Sequence, residues 1–188
     1  MDAIQLILRL HLHRVWVNQQ LLASAQKLTD AQLRQSFPIG QGSIWKSLLH
    51  LYAADHVWLE AMLGNENATA PGDLPSQLPG NQLGPNPITS LPDLQQKWTQ
   101  LMTRWTTYIQ QLNPNSLDDL VYKISTSSFA GQRRPTRRSD ILLHIATHSQ
   151  YTTAQILNML RHLGLQPLPE PMLITLSRQE FTRSPCLQ

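Results

Sequence analysis

Apolar residues recur along this chain at helical intervals in four long stretches. The first predicts a helix from about Asp2 to Lys27, with Asp2 as N-cap and Ile4, Leu8, Leu12, Val15, Gln19 and Leu22 on one stripe thickened by Trp16. The second opens at Ser43, a natural N-cap after Gly40 and Gly42, and runs to Leu63 before Gly64. It is apolar nearly all round, which predicts a helix lying between neighbours. The third starts at Ser90-Leu-Pro92-Asp93, repeats Leu94, Trp98, Leu101, Trp105, Tyr108 and Leu112, and ends at Asn113-Pro114. The fourth starts near Thr136 or Ser139 and ends at Gly164.

The connections complete the picture. Residues 65–89 are rich in Pro, Gly and Asn and read as one long crossover loop, the connection that a four-helix bundle with parallel neighbours requires. Val121 to Thr126 reads as a strand, and Gly131 and Pro135 allow a small β-hairpin before the last bundle helix. The tail after Pro167 has room for one short helix near Met172 to Phe181. The expected fold is therefore all-α, a four-helix bundle over residues 1–166 with a C-terminal tail over 167–188.

Composition narrows the function classes. The chain has 188 residues, 41% of them hydrophobic, which suits one well-buried domain. No apolar run is long enough to cross a bilayer, and the start carries an acid and no basic segment, which argues against a signal peptide. The single cysteine, Cys186, excludes an intrachain disulfide and a cysteine-rich zinc site, and fits a reducing cytoplasm. A net charge of +3 with 14% charged residues is too mild to indicate nucleic acid or a membrane surface as partner.

The candidate chemistry lies in histidines. His144 and His148 sit four apart on the fourth helix, one turn apart on one face, and His50 sits in the second helix among Ser43, Ser47, Ala54 and Ala61. Two readings stand side by side: half of a metal site completed from another helix, or core histidines satisfied by hydrogen bonds. His148 and Thr152 fall in mid-stripe, whereas His144 falls at its edge with Tyr151 and Gln155. His11, His13, His56 and His162 are scattered and read as exposed or helix-end residues. Arg133, Arg134, Arg137 and Arg138 cluster around Pro135, either a solvated loop or a clamp for an acidic partner. Phosphate loops, nucleophile elbows and His-Glu-x-x-His motifs are missing from the sequence.

Two blocks resemble the DinB/YfiT-like family. Gly42-Ser43-Ile44, Leu49-His50-Leu51, Ala53-Ala54-Asp55 and Trp58-Leu59 are similar to its second helix. Leu143-His144-Ile145, His148-Ser149, Tyr151, Gln155-Ile156, Met159-Leu160-Arg161 and Leu163-Gly164 are similar to its last. The Trp16 to Asn18 region also fits, so the resemblance spans roughly residues 1–180. It implies a bundle in up-down-down-up order, a homodimer, and a divalent metal such as zinc or nickel held by three histidines. Relatives include thiol-dependent transferases and a thiol-dependent isomerase, which implies a small-molecule substrate and leaves the thiol unassigned. His50 matches the ligand of the second helix and His148 the first ligand of the last. The third position holds Thr152, in the run Thr152-Thr153-Ala154-Gln155 where the family has His-Arg-Gly-Gln, and Trp45 stands where close relatives have histidine. A hydroxyl is a poorer ligand than imidazole, so metal binding is expected to be weak or lost. His144 is the substitute within reach, although it is also present in relatives with all three ligands, which suits a pocket-wall role. Thr152, Tyr151 and Gln155 are the expected pocket residues. The alternative is a catalytically inactive, metal-free, dimeric helical interaction module.

Overall fold

A computed structural model describes residues 1–126 and 129–183, with the backbone alone at residue 183. The chain runs α1 (Ala3–Ala25), α2 (Asp30–Arg34), α3 (Ile44–Met62), α4 (Leu91–Gln110), β1 (Leu120–Ile124), β2 (Arg133–Arg137), α5 (Arg138–His162) and α6 (Leu173–Arg183). Caps set most of these limits. Asp2 and Gln5 form a reciprocal capping box at α1, and Ser43 and Ser90 accept the third backbone N–H of α3 and α4. Gly64 and Gly164, both at positive φ, follow the ends of α3 and α5.

Helices α1, α3, α4 and α5 form the expected bundle. Both α1 and α3 pack against α4 and α5, so α1 faces α3 across a diagonal. Residue pairs give the directions. His11 with Thr106, Asn18 with Met102 and Gln26 with Gln95 run α1 and α4 antiparallel. Tyr52 with Trp98 and Glu60 with Arg104 run α3 and α4 parallel. Trp58 with His144 and His50 with His148 run α3 and α5 antiparallel. The order is up-down-down-up, and the 63–90 connection carries the chain from one end of α3 back to the start of the parallel α4. No described helix is long and apolar enough to cross a membrane.

The core is apolar through Ile44, Leu48, Leu94, Trp105, Ile141 and Met159, all fully buried. One buried face, however, is not the predicted one. On α1 the stripe that enters the core is Ile7, His11, Arg14, Asn18, Leu21 and Ala25, whereas Leu12 and Gln19 stay exposed. The reason is a buried polar network on the diagonal. Arg14 is ion-paired with Asp55 of α3, and its other terminal nitrogen donates to His11 Nδ1 at 2.9 Å. His11 Nε2 then donates to Thr106 Oγ1 at 2.9 Å, and that hydroxyl donates to the Met102 carbonyl at 3.0 Å. Burial, reinforced by the Arg14 charge, lowers the His11 pKa to about 3, so the imidazole is neutral. Burial pushes the Asp55 carboxyl up to about 6, against the pull of Arg14.

Two further histidines depart from the sequence reading. His13 is buried, with Nε2 donating to the Pro171 carbonyl at 2.8 Å, and His56 is half-buried against Tyr52. The His13 contact, with Arg9 to Glu180 and Gln20 to Glu170, straps α6 and its leader onto α1. The short helix α2 was not foreseen, although Thr29 and Gln32 spell its capping box.

Candidate functional site

The antiparallel pairing of α3 and α5 brings His50 and His148 together. Their Nε2 atoms are 3.1 Å apart and the rings meet edge to face at 5.0 Å. The crossover loop fixes His50 from behind, because its Nδ1–H donates to the Pro79 carbonyl at 2.8 Å. Nε2 of His50 is therefore the lone-pair nitrogen, and His148 donates to it. Burial first, then the neighbouring His50 and His144, lower the His148 pKa to about 4 and keep that ring neutral.

The loop is itself well organised. The Asp73 carboxylate accepts the backbone N–H of Gly80 at 2.6 Å and of Gln82 at 2.9 Å, with the Gln82 side chain at 2.8 Å. Gly80 has φ +87° and lies on the α3 backbone, where a Cβ would come within 2.7 Å of the His50 Cα. Glycine is needed at this close approach.

His144 belongs to the wall of the site. Its ring lies 5.6 Å from that of His148 and meets Trp58 edge to face at 5.8 Å. Its pKa is also lowered by burial. No three His, Cys, Asp or Glu side chains among the described residues group closely enough to hold one ion together. The donor set that fits a metal is thus the His50 and His148 pair. Two zinc-bound nitrogens at about 2.0–2.1 Å in tetrahedral geometry sit roughly 3.3–3.4 Å apart, close to the 3.1 Å between these two.

A cavity of about 530 Å³ opens over the pair, within the size range of small-molecule sites. Its floor carries His50 and His148, and its walls His144, Val57, Trp58 and the β1–β2 hairpin. The expected pocket residues lie elsewhere. Thr152 is buried one turn beyond His148, Tyr151 is 68% exposed, and Gln155 is half-buried beside Gly40; none lines this cavity.

The hairpin supplies what the sequence reading missed. In the antiparallel register, Lys123 faces Arg134 across the strands. Lys123 is buried and Arg134 exposed, and both line the cavity, whose lining among the described residues includes no carboxylate. The arginine cluster is not a free clamp. Arg133 makes a two-pronged pair with Glu66, Arg137 lies 3.9 Å from Asp118, and Arg138 lies 3.5 Å from Asp119. Arg134 instead stacks 4.4 Å over Phe129 at the rim.

Comparison with known proteins agrees with the fold. The model of the DinB family matches residues 4–180. Protein DinB of Bacillus subtilis (strain 168) is 26% identical over 161 residues, covering 86% of this chain and 88% of that protein. The structure is similar to YfiT from Bacillus subtilis, with a TM-score of 0.62 and 17% identity over 88% of this chain and 92% of that one. YfiT is described as "a probable metal-dependent hydrolase with an unusual four-helix bundle topology".

Proposed function

The chain belongs to the DinB family, and from that premise we propose that it is a metal-dependent enzyme acting on a small molecule held in the cavity beside His50 and His148. One observation carries the reading: two imidazoles aim Nε2 at each other at 3.1 Å, with His50 oriented by a backbone carbonyl. Orientation of a ligand ring through its other nitrogen is what metal sites require. A shift of the His148 proton to Nδ1 leaves two lone pairs facing one point. A divalent ion bound there would supply Lewis acidity and a more acidic water or thiol. The description of YfiT supports hydrolysis, and the family resemblance supports thiol-dependent transfer. A nucleophile from solution suits either chemistry, since the cavity lining among the described residues offers no cysteine or carboxylate. His144, neutral and on the cavity wall, is placed to take its proton.

Two histidine ligands hold an ion less firmly than three, so zinc or nickel is expected to bind weakly. Calorimetric titration of chelator-treated protein tests the reading. His50→Ala and His148→Ala abolish binding, and His144→Ala retains it. If the unmodified protein takes up neither metal, the metal-free interaction module stands instead, a reading favoured by the missing third ligand. A homodimer is part of both readings. Leu6 on α1 and Leu143 on α5 leave about half their surface exposed on adjoining helices, which supports an apolar contact face. Light scattering on the eluting protein measures it directly.

A further inference from the structure

The hairpin side of the cavity poses an electrostatic problem that the histidines do not answer. Lys123 is only 8% exposed, yet its ammonium has one hydrogen bond among the described residues, to the Ile124 carbonyl at 3.0 Å. An ammonium carries three donors and no acceptor; beyond that bond Nζ has the Trp58 ring 5.9 Å away and no second hydrogen-bond acceptor among the described residues. No carboxylate lies within ion-pair distance of it among the described residues; Glu66, whose backbone carbonyl accepts the Ile124 N–H, is taken by Arg133, and Asp118 and Asp119 lie beside Arg137 and Arg138. A buried charge left in this state is costly unless something pairs with it. Arg134, its cross-strand partner, is likewise the one member of the arginine cluster without an acidic partner among the described residues.

Both cations line the same cavity, and its other walls are apolar or hydroxylic: Trp58, Val57, Phe129 and Thr136 among them. We infer that this cavity recognises a small organic anion, with a carboxylate or phosphate group held between Lys123 and Arg134 and an apolar body against Trp58 and Phe129. A negative group there satisfies the spare donors of Lys123, and the planar guanidinium of Arg134 closes over it from the rim. The apolar walls explain why the ligand is more than an inorganic ion. Lys123 and Arg134 thus act as binding residues, opposite the histidine floor. This deepens the proposed function, resting on its view that the cavity receives the substrate, and names that substrate's class.

The test uses the full chain, freed of metal by chelation, at low salt so that screening does not mask the charges. Phenylacetate, phenyl phosphate and uncharged phenylacetamide are titrated as probes by ligand-observed NMR. At least one anion is expected to bind about tenfold or more tightly than the amide. The better anion identifies the recognised group as carboxylate or phosphate. Lys123→Met and Arg134→Gln each weaken that anion by about tenfold and leave amide binding unchanged. Arg134 is exposed, so its variant keeps the fold even if the Lys123 variant does not. Equal binding of amide and anions, no binding of either anion at millimolar concentration, or an Arg134→Gln protein with native anion affinity each overturns the inference. Metal is absent from this assay, so a failed zinc titration and a failed anion titration are separate results.

Discussion

Arg14→Met isolates the diagonal ion pair. The substitution keeps an unbranched apolar stem and removes the guanidinium, leaving Asp55 buried without its cation. The magnitude follows from how Asp55 titrates. In the native protein its carboxyl is pushed up to about 6, burial outweighing Arg14. Removing Arg14 raises it further. Above about pH 6 the native protein holds Asp55 ionised, whereas the variant keeps it protonated and the unfolded chain does not. The native state of the variant then binds one proton more than its unfolded state, so its stability falls by about 1.4 kcal/mol per pH unit while the native slope from this group is zero. The gap widens by roughly 3 kcal/mol from about pH 6 to about pH 8. A pH-independent loss of about 1–2 kcal/mol adds to it, from the hydrogen bond to His11 and the Trp105 ring under the guanidinium. The sum of roughly 4–5 kcal/mol at the upper pH matches the cost of breaking buried pairs elsewhere. Urea unfolding followed by tryptophan fluorescence at the two pH values measures it. The double variant Arg14→Met, Asp55→Asn should lose the pH slope. A difference that is flat with pH, or below about 1 kcal/mol at pH 8, refutes the reasoning.

Three other outcomes follow from the same geometry. Thr152→His places an imidazole one turn from His148 and is expected to raise zinc affinity on the order of tenfold or more, read by competition with a chelating dye; unchanged affinity refutes His50 and His148 as the metal pair. Gly80→Ala forces a Cβ into the His50 backbone at positive φ; it should cost about 1–3 kcal/mol and alter the His50 Nδ1 resonance, and a silent NMR spectrum at that nitrogen refutes the contact. The His11 pKa is depressed, so the stability it contributes is present above its unfolded pKa of about 6.5 and is lost as pH falls towards about 3. His11→Gln should therefore flatten acid unfolding between about pH 6 and pH 4, and an unaltered acid limb contradicts the buried neutral imidazole.

What could be read from the chain was the part governed by local rules. The caps at Asp2, Ser43 and Ser90, the glycine ends of two helices and the α4 repeat all depend on residues within a turn of each other. The face of α1 was misread because hydrophobicity marks burial only where apolar side chains do the burying. His11, Arg14, Asn18, Leu21 and Ala25 are spaced 3, 4, 3 and 4 apart, a helical stripe in its own right, but the partner that makes its polar members tolerable is 41 residues away at Asp55. The site divides in the same way. His50 and His148 were legible through their motif. Lys123 was not, because its burial arises from strand pairing and the position of Trp58, which no local pattern encodes.

The diagonal placement of the first two long helices also dictates when the protein can fold as it is made. Helix α1 packs against α4 and α5 rather than against α3, the next long helix in the chain. A ribosome must add the 85 residues from Ala25 to Gln110 before α1 has its first bundle neighbour complete. At ~5–20 residues per second that is roughly 4–17 s, during which the nascent chain carries a buried-type arginine and a largely apolar α3 without the α4 and α5 faces that bury them. Folding of this bundle is consequently tied to completion of its second half, and a chain stalled after α3 is exposed to aggregation or capture by chaperones.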